Sequence, residues 1–212
     1  MFYLKKIPGI IKKIYSDCIW DIQTDEKIIY FTFDDGPHPE ATPFVLGQLK
    51  KYHAKATFFC IGKNVVENFS VYQQIISEGH SVGNHTYSHL NGWKTKDDVY
   101  LADVKEAAKY IDSVLFRPPY GRITSFQARH IKDALKNDHA KIVMWDVISG
   151  DFDQTLSAEQ CLQNIILNAG PGSIIVLHDS EKAFARLEKF LPLMLEFFKK
   201  NGFRFKKIGY QA

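Results

Sequence analysis

Cysteine is scarce in this chain, with three among 212 residues, at Cys18, Cys60 and Cys161. They are far apart and odd in number, so their spacing predicts neither a disulfide framework nor a cysteine-based zinc site. Cys60 follows two phenylalanines and is expected to be a small core residue.

The chain also lacks a strong excess of charge, because 27 basic and 24 acidic residues leave a formal net charge of +3. Proteins that bind nucleic acid usually carry a marked basic excess, so we predict no nucleic-acid partner. Hydrophobic residues make up 45% and aromatic residues 14%, which allows a sizeable core and argues against disorder. The length fits one domain or two small ones, and we favour one monomeric domain over residues 26–212.

Long apolar runs are missing as well, so no integral membrane span is predicted. In residues 1–25, lysines interrupt every apolar stretch and Pro8 lies in the middle, so no signal peptide is expected. The location is then cytoplasmic by default, with association with the cell envelope left open. The apolar residues of this basic amphipathic segment have helical spacing: Leu4, Ile7, Ile11, Ile14 and Cys18. Such a helix can make peripheral contact with an anionic membrane, but we favour packing against its own domain.

The most distinctive stretch is an apolar run at residues 28–33, rich in β-branched and aromatic residues as in a buried strand. Asp34 and Asp35 follow it directly, and Gly36-Pro37 then turns the chain. Two adjacent carboxylates at a strand end are costly unless a cation or a hydrogen-bond donor compensates them. A simple turn explains one aspartate better than two, so we favour a functional site.

Strand-like and helix-like runs alternate about seven times from residue 28 onward, which predicts a parallel sheet. The sheet could be open and doubly wound, or it could close into a barrel slightly short of eight units. Five predicted strands end in unusual polar residues: Asp34-Asp35, His85, Arg117, residues 146–151 and His178-Asp179. A barrel directs all these ends at one cavity, whereas an open sheet spreads them along an edge, so the pattern favours a barrel.

The helical periodicity predicts single helices over residues 64–78, 96–113 and 125–137. Asn64 and Ser157 are predicted to cap the helices that follow them. Lys141 to Trp145 reads as a strand, with a loop after it.

His85 and His89 are four residues apart, so on a helical turn they would share a face and could bind one metal ion. Asp35 would add an oxygen ligand. Two histidines and one carboxylate leave positions open for water and substrate, which is typical of a catalytic metal site. The pair could equally be ordinary surface histidines, and it is the two aspartates at the strand end that strengthen the metal hypothesis.

Four short motifs occur in a fixed order: Thr32-Phe33-Asp34-Asp35-Gly36-Pro37, His85-Thr86-Tyr87-Ser88-His89, Arg117-Pro118-Pro119-Tyr120-Gly121 and Leu177-His178-Asp179. Together they resemble the polysaccharide deacetylase family, the NodB-homology domain of carbohydrate esterase family four, over residues 28–206. The resemblance implies an α/β fold, a distorted (β/α)7 barrel. It also implies hydrolysis of acetyl groups on sugar polymers with a divalent metal, usually zinc, with cobalt, nickel or manganese as alternatives.

The resemblance further implies a role for each motif residue. Asp35, His85 and His89 would bind the metal. Asp34 would be the general base, and Arg117 would hold it as a carboxylate. His178 would be the general acid, with Asp151 orienting it.

Substrate contacts follow from the same motifs. The backbone N–H of Tyr120 would help to form the oxyanion hole, Pro119 would contribute to substrate binding, and Leu177 would line the acetyl pocket. Trp93, in the loop after His89, is a candidate for stacking on a sugar ring, whereas Trp145 is expected in the core. Asp179 would tie down the loop or the helix that follows it.

One motif departs from the family, which typically has Asp-x-x-Asp-Trp after the strand at residues 141–145. Asp151 matches the second aspartate, but Ile148 and Phe152 replace the first aspartate and the tryptophan. Asp146 is two residues away from the position that would substitute for the lost carboxylate. The change affects the groove wall and the choice of substrate more than the metal site.

The main hypothesis is a metal-dependent deacetylase that acts on an acetylated carbohydrate, most directly on N-acetylglucosamine units. Peptidoglycan, chitin oligomers and acetylated xylan all fit the motifs. Two alternatives remain open: a non-catalytic carbohydrate-binding protein on the same fold, and a metal hydrolase for a small amide.

Overall fold

The computed structural model describes residues 4–209, in which short parallel strands alternate with helices. The strands are β1 (Cys18–Ile19), β2 (Ile28–Asp34), β3 (Thr57–Cys60), β4 (Ser81–Asn84), β5 (Leu115–Phe116), β6 (Lys141–Val143), β7 (Val147–Ile148), β8 (Ile174–His178) and β9 (Arg204–Phe205). The helices are α1 (Gly9–Ile14), α2 (Ala41–Lys51), α3 (Gly62–Glu67), α4 (Phe69–Ser77), α5 (Asp97–Ala108), α6 (Ser125–Arg129), α7 (Ile131–Leu135), α8 (Ala158–Ile166) and α9 (Glu181–Lys200).

The strands form one curved parallel sheet in the order β1-β6-β5-β4-β3-β2-β8-β7, and β9 pairs with the beginning of β2. This confirms the predicted single-domain, distorted (β/α)7 barrel. The strand β2 lies between β3 and β8, with Phe33 opposite Phe58 on one side and Leu177 on the other. Because the strands are parallel, their C-terminal ends lie on one face of the barrel.

The core explains why β2 shows no alternation of polar and apolar residues. All seven of its residues are buried, because helices cover the outside of the sheet while side chains fill the inside. The main hydrophobic cluster joins β2, β3 and β8 to helices α2, α8 and α9, and includes Phe31, Phe58 and Phe190.

The N-terminal segment fills the gap between β6 and β7. On one side β1 pairs with β6. On the other side Lys6 forms an antiparallel bridge with Val147, and the amide of Ile7 donates to the carbonyl of Asp146 at 2.9 Å. Cys18–Ile19, which the sequence places within residues 1–25, is therefore a strand of the sheet.

Buried Asp146 anchors this segment. The Nζ atoms of Lys6 and Lys12 lie 2.5 and 2.6 Å from its two oxygens, and the Ser173 hydroxyl donates to it at 2.6 Å. Asp146 therefore holds the N-terminal segment through Lys6 and Lys12 and does not replace the missing carboxylate of the fourth motif.

The helix in this segment is shorter than predicted. Within the described part of this segment, residues 4–25, the helix is limited to Gly9–Ile14. Ile11 packs against the cluster around Trp20, while Ile10 and Ile14 are exposed. None of the helices in residues 4–209 is long and apolar enough to cross a bilayer. Peripheral membrane contact, a monomeric state and the cellular location stay predictions.

Tertiary contacts also interrupt helices that the periodicity predicts as continuous. The helix over residues 64–78 divides at Asn68, whose side-chain amide donates to the carbonyl of Pro37 at 3.3 Å. Phe69 and Ile76 in the second of these helices are exposed. The helix over residues 125–137 divides at His130. The Ser157 cap is confirmed as a capping box, whereas Asn64 lies inside α3.

Two further bounds differ from the sequence prediction. The helix over residues 96–113 ends at Ala108, and Val99 on it is exposed. Val147–Ile148 was expected in a loop but forms β7. Two residues are too few for a periodic pattern, so this strand is recognised from its pairing with β8 and its bridge to Lys6.

Candidate active site

Two adjacent carboxylates at the C-terminal end of β2 have different partners. Asp34 is the last residue of the strand and is buried. Asp35 has a φ of 78°, a left-handed conformation that aspartate tolerates better than most residues. The chain leaves the strand at this point, so Asp34 meets Arg117 while Asp35 meets two histidines.

Arg117 follows β5 and is completely buried. Its guanidinium donates hydrogen bonds to the side chains of Asp34 (2.7 Å) and Thr32 (2.7 Å) and to the carbonyls of Val143 (3.0 Å) and Met144 (2.7 Å). A buried charge is stable only when it is paired and its donors are satisfied, and this arrangement meets both conditions. The bond to Oδ1 fixes the Asp34 carboxylate and does not involve Oδ2.

Asp35, His85 and His89 offer ligand atoms that all lie within 4.8 Å of one another. Asp35 Oδ1 is 3.2 Å from His89 Nε2 and 3.7 Å from His85 Nε2. Among the residues described, this buried oxygen has no hydrogen-bond partner. Burial by itself would raise the pKa of Asp35, but the nearby imidazoles of His89, His178 and His85 outweigh it and lower the pKa below its ordinary value.

The hydrogen bond of His85 leaves its Nε2 available to bind a metal ion. Its Nδ1 lies 2.8 Å from the carbonyl of Arg117, and because a carbonyl can only accept, Nδ1 carries the proton. The lone pair of Nε2 is then left facing Asp35. Burial lowers the pKa of His85 to about 4, so the ring is neutral at pH 7. This donor set fits a divalent cation such as zinc.

The two histidines do not lie on a helical turn, which corrects the sequence interpretation. They lie in the loop after β4, where Thr86 and His89 have φ values of 62° and 58°. Asp103 on α5 holds this loop, since its Oδ2 accepts from the amides of Tyr87 (2.8 Å) and Ser88 (2.9 Å). The left-handed residues bring the rings together, with centroids 5.2 Å apart for His85 and His89.

His178, at the end of β8, is paired with Asp151 as the sequence predicts. Its Nδ1 lies 2.7 Å from Asp151 Oδ1, and its amide donates to Oδ2 at 2.8 Å. Burial lowers the pKa of His178, but the charge and the hydrogen bond of Asp151 outweigh it and raise the pKa to about 9. The ring of Phe152 packs edge-on against His178 at 5.3 Å, so the residue that replaces the family tryptophan still covers this histidine.

The predicted substrate residues differ in exposure. Tyr120 is 55% exposed, and its ring lies 4.6 Å from that of His89. Trp93 is 59% exposed, while Pro119 is buried and Leu177 lies wholly within the main core. Trp145, expected in the core, is partly buried. Contact of these residues with a substrate stays a prediction.

The sequence predicts only a structural role for Asp179, and in the structure it contacts the backbone of Asp34. It is fully buried, its Oδ2 accepts from the Thr42 hydroxyl at 2.5 Å, and its amide donates to the carbonyl of Asp34 at 3.2 Å. Burial is the main cause that raises the pKa of Asp179, to about 8. Gly36 is needed here, since a Cβ on it would lie 2.2 Å from Asp179 Oδ2.

The sequence interpretation missed two residues that hold the site. One is Asp103, whose contacts with the histidine loop are described above. The other is Asn64, whose side-chain amide donates to the carbonyl of Asp35 at 2.7 Å. No local sequence pattern marks either residue, because each contacts a loop that is distant from it in the sequence. The face as a whole combines three side chains that could hold a cation, a fixed carboxylate and an imidazole of raised pKa, which together suit hydrolysis of a carbonyl compound.

Comparison with known proteins gives consistent matches. The profile of a family described as Polysaccharide deacetylase matches residues 21–140. A peptidoglycan-N-acetylglucosamine deacetylase of Bacillus cereus is 36% identical in an alignment of 200 positions that covers 90% of this chain and 90% of that protein. The crystal structure of the Bc1960 peptidoglycan N-acetylglucosamine deacetylase matches with a TM-score of 0.85 and 29% identity over 95% of both chains. A CE4 family pseudoenzyme from Bacillus anthracis matches with a TM-score of 0.78 and 25% identity over 90% of this chain and 66% of that chain.

Proposed function

Because this chain belongs to the polysaccharide deacetylase family, we propose that it hydrolyses the acetamide bond of N-acetylglucosamine units in a glycan with the help of a divalent metal. The observation that carries the proposal is Asp35 Oδ1, a buried oxygen without a hydrogen-bond partner among the described residues. It lies 3.2 and 3.7 Å from two imidazole nitrogens. A buried carboxylate oxygen that accepts no well-formed hydrogen bond is costly, and a cation shared with the two histidines removes that cost.

Asp35, His85 and His89 would hold the cation, which we take to be zinc on the basis of the mixed nitrogen and oxygen donors. A cation bound there would lower the pKa of a water molecule and polarise the acetyl carbonyl.

Asp34 accepts a proton from the attacking water. Arg117 holds Asp34 Oδ1 in place at 2.7 Å, so Oδ2 is the oxygen that is left to accept the proton. The base must lie within hydrogen-bond reach of the water, and the rigid pairing with a buried guanidinium keeps it there.

His178 donates a proton to the leaving nitrogen. Its Nδ1 is engaged by Asp151 at 2.7 Å, so the proton comes from Nε2. The raised pKa, about 9, keeps the ring protonated at neutral pH. Water adds to the acyl carbon, the carbon–nitrogen bond breaks, and acetate and a free amine are the products. The amide of Tyr120 supports the oxyanion that forms on the way.

The test is acetate release from N-acetylglucosamine oligomers of increasing length by protein stripped of metal and then given zinc or cobalt. We expect release that depends on the metal and grows with length. Asp34→Asn should bind the metal as tightly as the wild type and release no acetate, whereas Lys13→Gln, on the exposed side of α1, should behave as the wild type. Full activity of Asp34→Asn would contradict the assignment of the base.

A second candidate function is carbohydrate binding without catalysis. It is favoured by the match to a pseudoenzyme of the same fold and by Ile148 and Phe152 in the fourth motif. Tight binding of oligomers without acetate release would support it. Release that is independent of oligomer length would instead support a hydrolase for small amides.

A further inference from the structure

Two loops on the rim of the site form one wall. The amide of Gly92 donates to the carbonyl of Arg122 at 3.2 Å, and the indole N–H of Trp93 donates to the carbonyl of Ile123 at 3.0 Å. A side chain on Gly92 would lie 2.4 Å from the carbonyl of Arg122, so the close approach requires glycine. Arg122 directly follows the turn Pro119–Gly121, in which the ring of Tyr120 lies 4.6 Å from that of His89, so the wall continues from the turn that contacts the candidate metal ligands.

The wall carries an exposed cation stacked on an exposed aromatic ring. The guanidinium of Arg122 lies 4.0 Å from the centre of the Trp93 ring, and stacking of this kind holds both groups in a defined position. Arg122 is exposed and forms no salt bridge within residues 4–209. Asp97, the first residue of α5, is engaged elsewhere, since it accepts hydrogen bonds from Gln127 at 2.8 Å and from Thr124 at 3.1 Å.

We propose that Arg122 and Trp93 form a subsite for a sugar that bears a carboxylate, next to the unit that is deacetylated. An indole ring offers an apolar face to the C–H side of a pyranose, and a guanidinium binds a carboxylate through paired hydrogen bonds. In a peptidoglycan strand every second sugar bears a lactyl group, whose carboxylate is free where no stem peptide is attached, whereas chitin is neutral. The subsite therefore makes carboxylate-bearing glycans the preferred substrates, a conclusion that rests on the proposed deacetylase function.

The test compares two substrates that differ only in charge. One is a peptidoglycan tetrasaccharide with free lactyl carboxylates, and the other is the same tetrasaccharide with these groups as methyl esters. We expect Arg122→Gln to reduce kcat/KM on the charged substrate by about tenfold, which corresponds to one charged hydrogen bond. On the ester the change should stay within about twofold, since no ionic partner is lost.

Three further measurements separate a charge effect from a structural one. Arg122→Lys should retain part of the wild-type kcat/KM on the charged substrate. For the wild type, about 0.5 M salt should reduce the difference in kcat/KM between the charged substrate and the ester. Arg129 is an exposed arginine on α6, and Arg129→Gln should leave kcat/KM unchanged on both substrates. Equal losses on both substrates for Arg122→Gln, or no loss on either, would overturn the proposal.

Failure of the proposed function gives a different result. In that case the wild type releases acetate from neither tetrasaccharide, and the subsite is tested by calorimetric titration of both tetrasaccharides into wild type and Arg122→Gln. Tighter binding of the charged tetrasaccharide that is lost in the variant would uphold the subsite. Equal affinities in all four titrations would reject it.

Discussion

The guanidinium of Arg117 lies 2.7 Å from Asp34 Oδ1 and is completely enclosed. The same group donates to the carbonyls of Val143 and Met144, so one side chain joins the end of β2 to the end of β6. The residue that orients the proposed base is therefore also a structural link across the inside of the barrel.

Replacing Arg117 with lysine tests this double role. Lysine cannot donate in four directions, so Asp34 and the carbonyls are left partly unsatisfied in a buried site. We expect the free energy of unfolding to fall by about 3 kcal/mol and acetate release to fall by at least about 100-fold, measured by urea denaturation and a coupled acetate assay.

Arg204→Lys is the matched control for this substitution. Arg204 pairs with Glu26 at 2.8 Å, and both side chains are more than half exposed, so the change in stability should stay below about 1 kcal/mol. Wild-type stability and activity in Arg117→Lys would show that the four hydrogen bonds have no energetic role.

The pH dependence of kcat/KM tests the pair formed by His178 and Asp151. The proposed acid must be protonated, so activity should fall as pH rises through the pKa of His178, about 9. Asp151→Asn removes the charge that raises this pKa and leaves burial, which lowers it. We therefore expect the alkaline limb of the profile to move to lower pH.

As a control, the exposed Asp138, in the turn before β6, is replaced. Asp138→Asn should leave the alkaline limb of the profile at the same pH. An unchanged limb in Asp151→Asn would mean that a different group supplies the proton.

One property of the fold explains why the sequence predicts which of these side chains the structure brings together. In a parallel barrel every strand ends on the same face, so Asp34, Arg117 and His178 can be brought together from strand positions alone. The path of the loops could not be predicted, since the left-handed backbone of Thr86 and His89 has no periodic signature.

Contacts between distant positions were the second limit. Asp146 was considered as a substitute for a missing site carboxylate, yet its partner Lys6 lies 140 positions away. A carboxylate between two strands has the same local appearance whether it faces a substrate or a lysine from the far end of the chain. Whether Asp146 faces a substrate or a lysine becomes clear only from the position of the N-terminal segment, which brings Lys6 to it.

Gly36 and Gly47 give opposite predictions for the same substitution. Gly36→Ala would place a Cβ 2.2 Å from Asp179 Oδ2, so either the turn that carries Asp35 or the buried carboxyl must move. We expect a loss of zinc affinity of at least about tenfold, because metal ligands tolerate little displacement, measured by competition with a chelator.

Gly47→Ala is the control, since nothing lies within 4 Å of the new methyl group and the position is inside α2. It should raise the free energy of unfolding by about 0.5–1 kcal/mol and leave zinc affinity unchanged. Equal zinc affinities for the two variants would show that the turn has room to adjust.

Lys12 and its neighbour Lys13 differ in their contacts, because Lys12 binds Asp146 and Lys13 is exposed. Lys12 Nζ lies 2.6 Å from Asp146 Oδ1, with the Lys12 side chain 20% exposed and that of Asp146 3%. Lys12→Gln leaves Lys6 as a partner, so we expect a loss of about 1–2 kcal/mol in urea denaturation, less than for a fully broken buried pair. Lys13→Gln should lose less than about 0.5 kcal/mol.

Acid unfolding gives a second measurement on the same two variants. Burial raises the pKa of Asp146, but the hydrogen bonds from Lys12 and Lys6 outweigh it and hold the pKa below its ordinary value of 3.8. A carboxyl whose pKa is lower in the folded protein stabilises it above the unfolded pKa, and this contribution is lost as pH falls through the folded pKa. Lys12→Gln reduces the depression, so its acid-unfolding midpoint should move to higher pH, while that of Lys13→Gln stays with the wild type. Coincident midpoints for all three proteins would show that Asp146 is held by Lys6 and Ser173 alone.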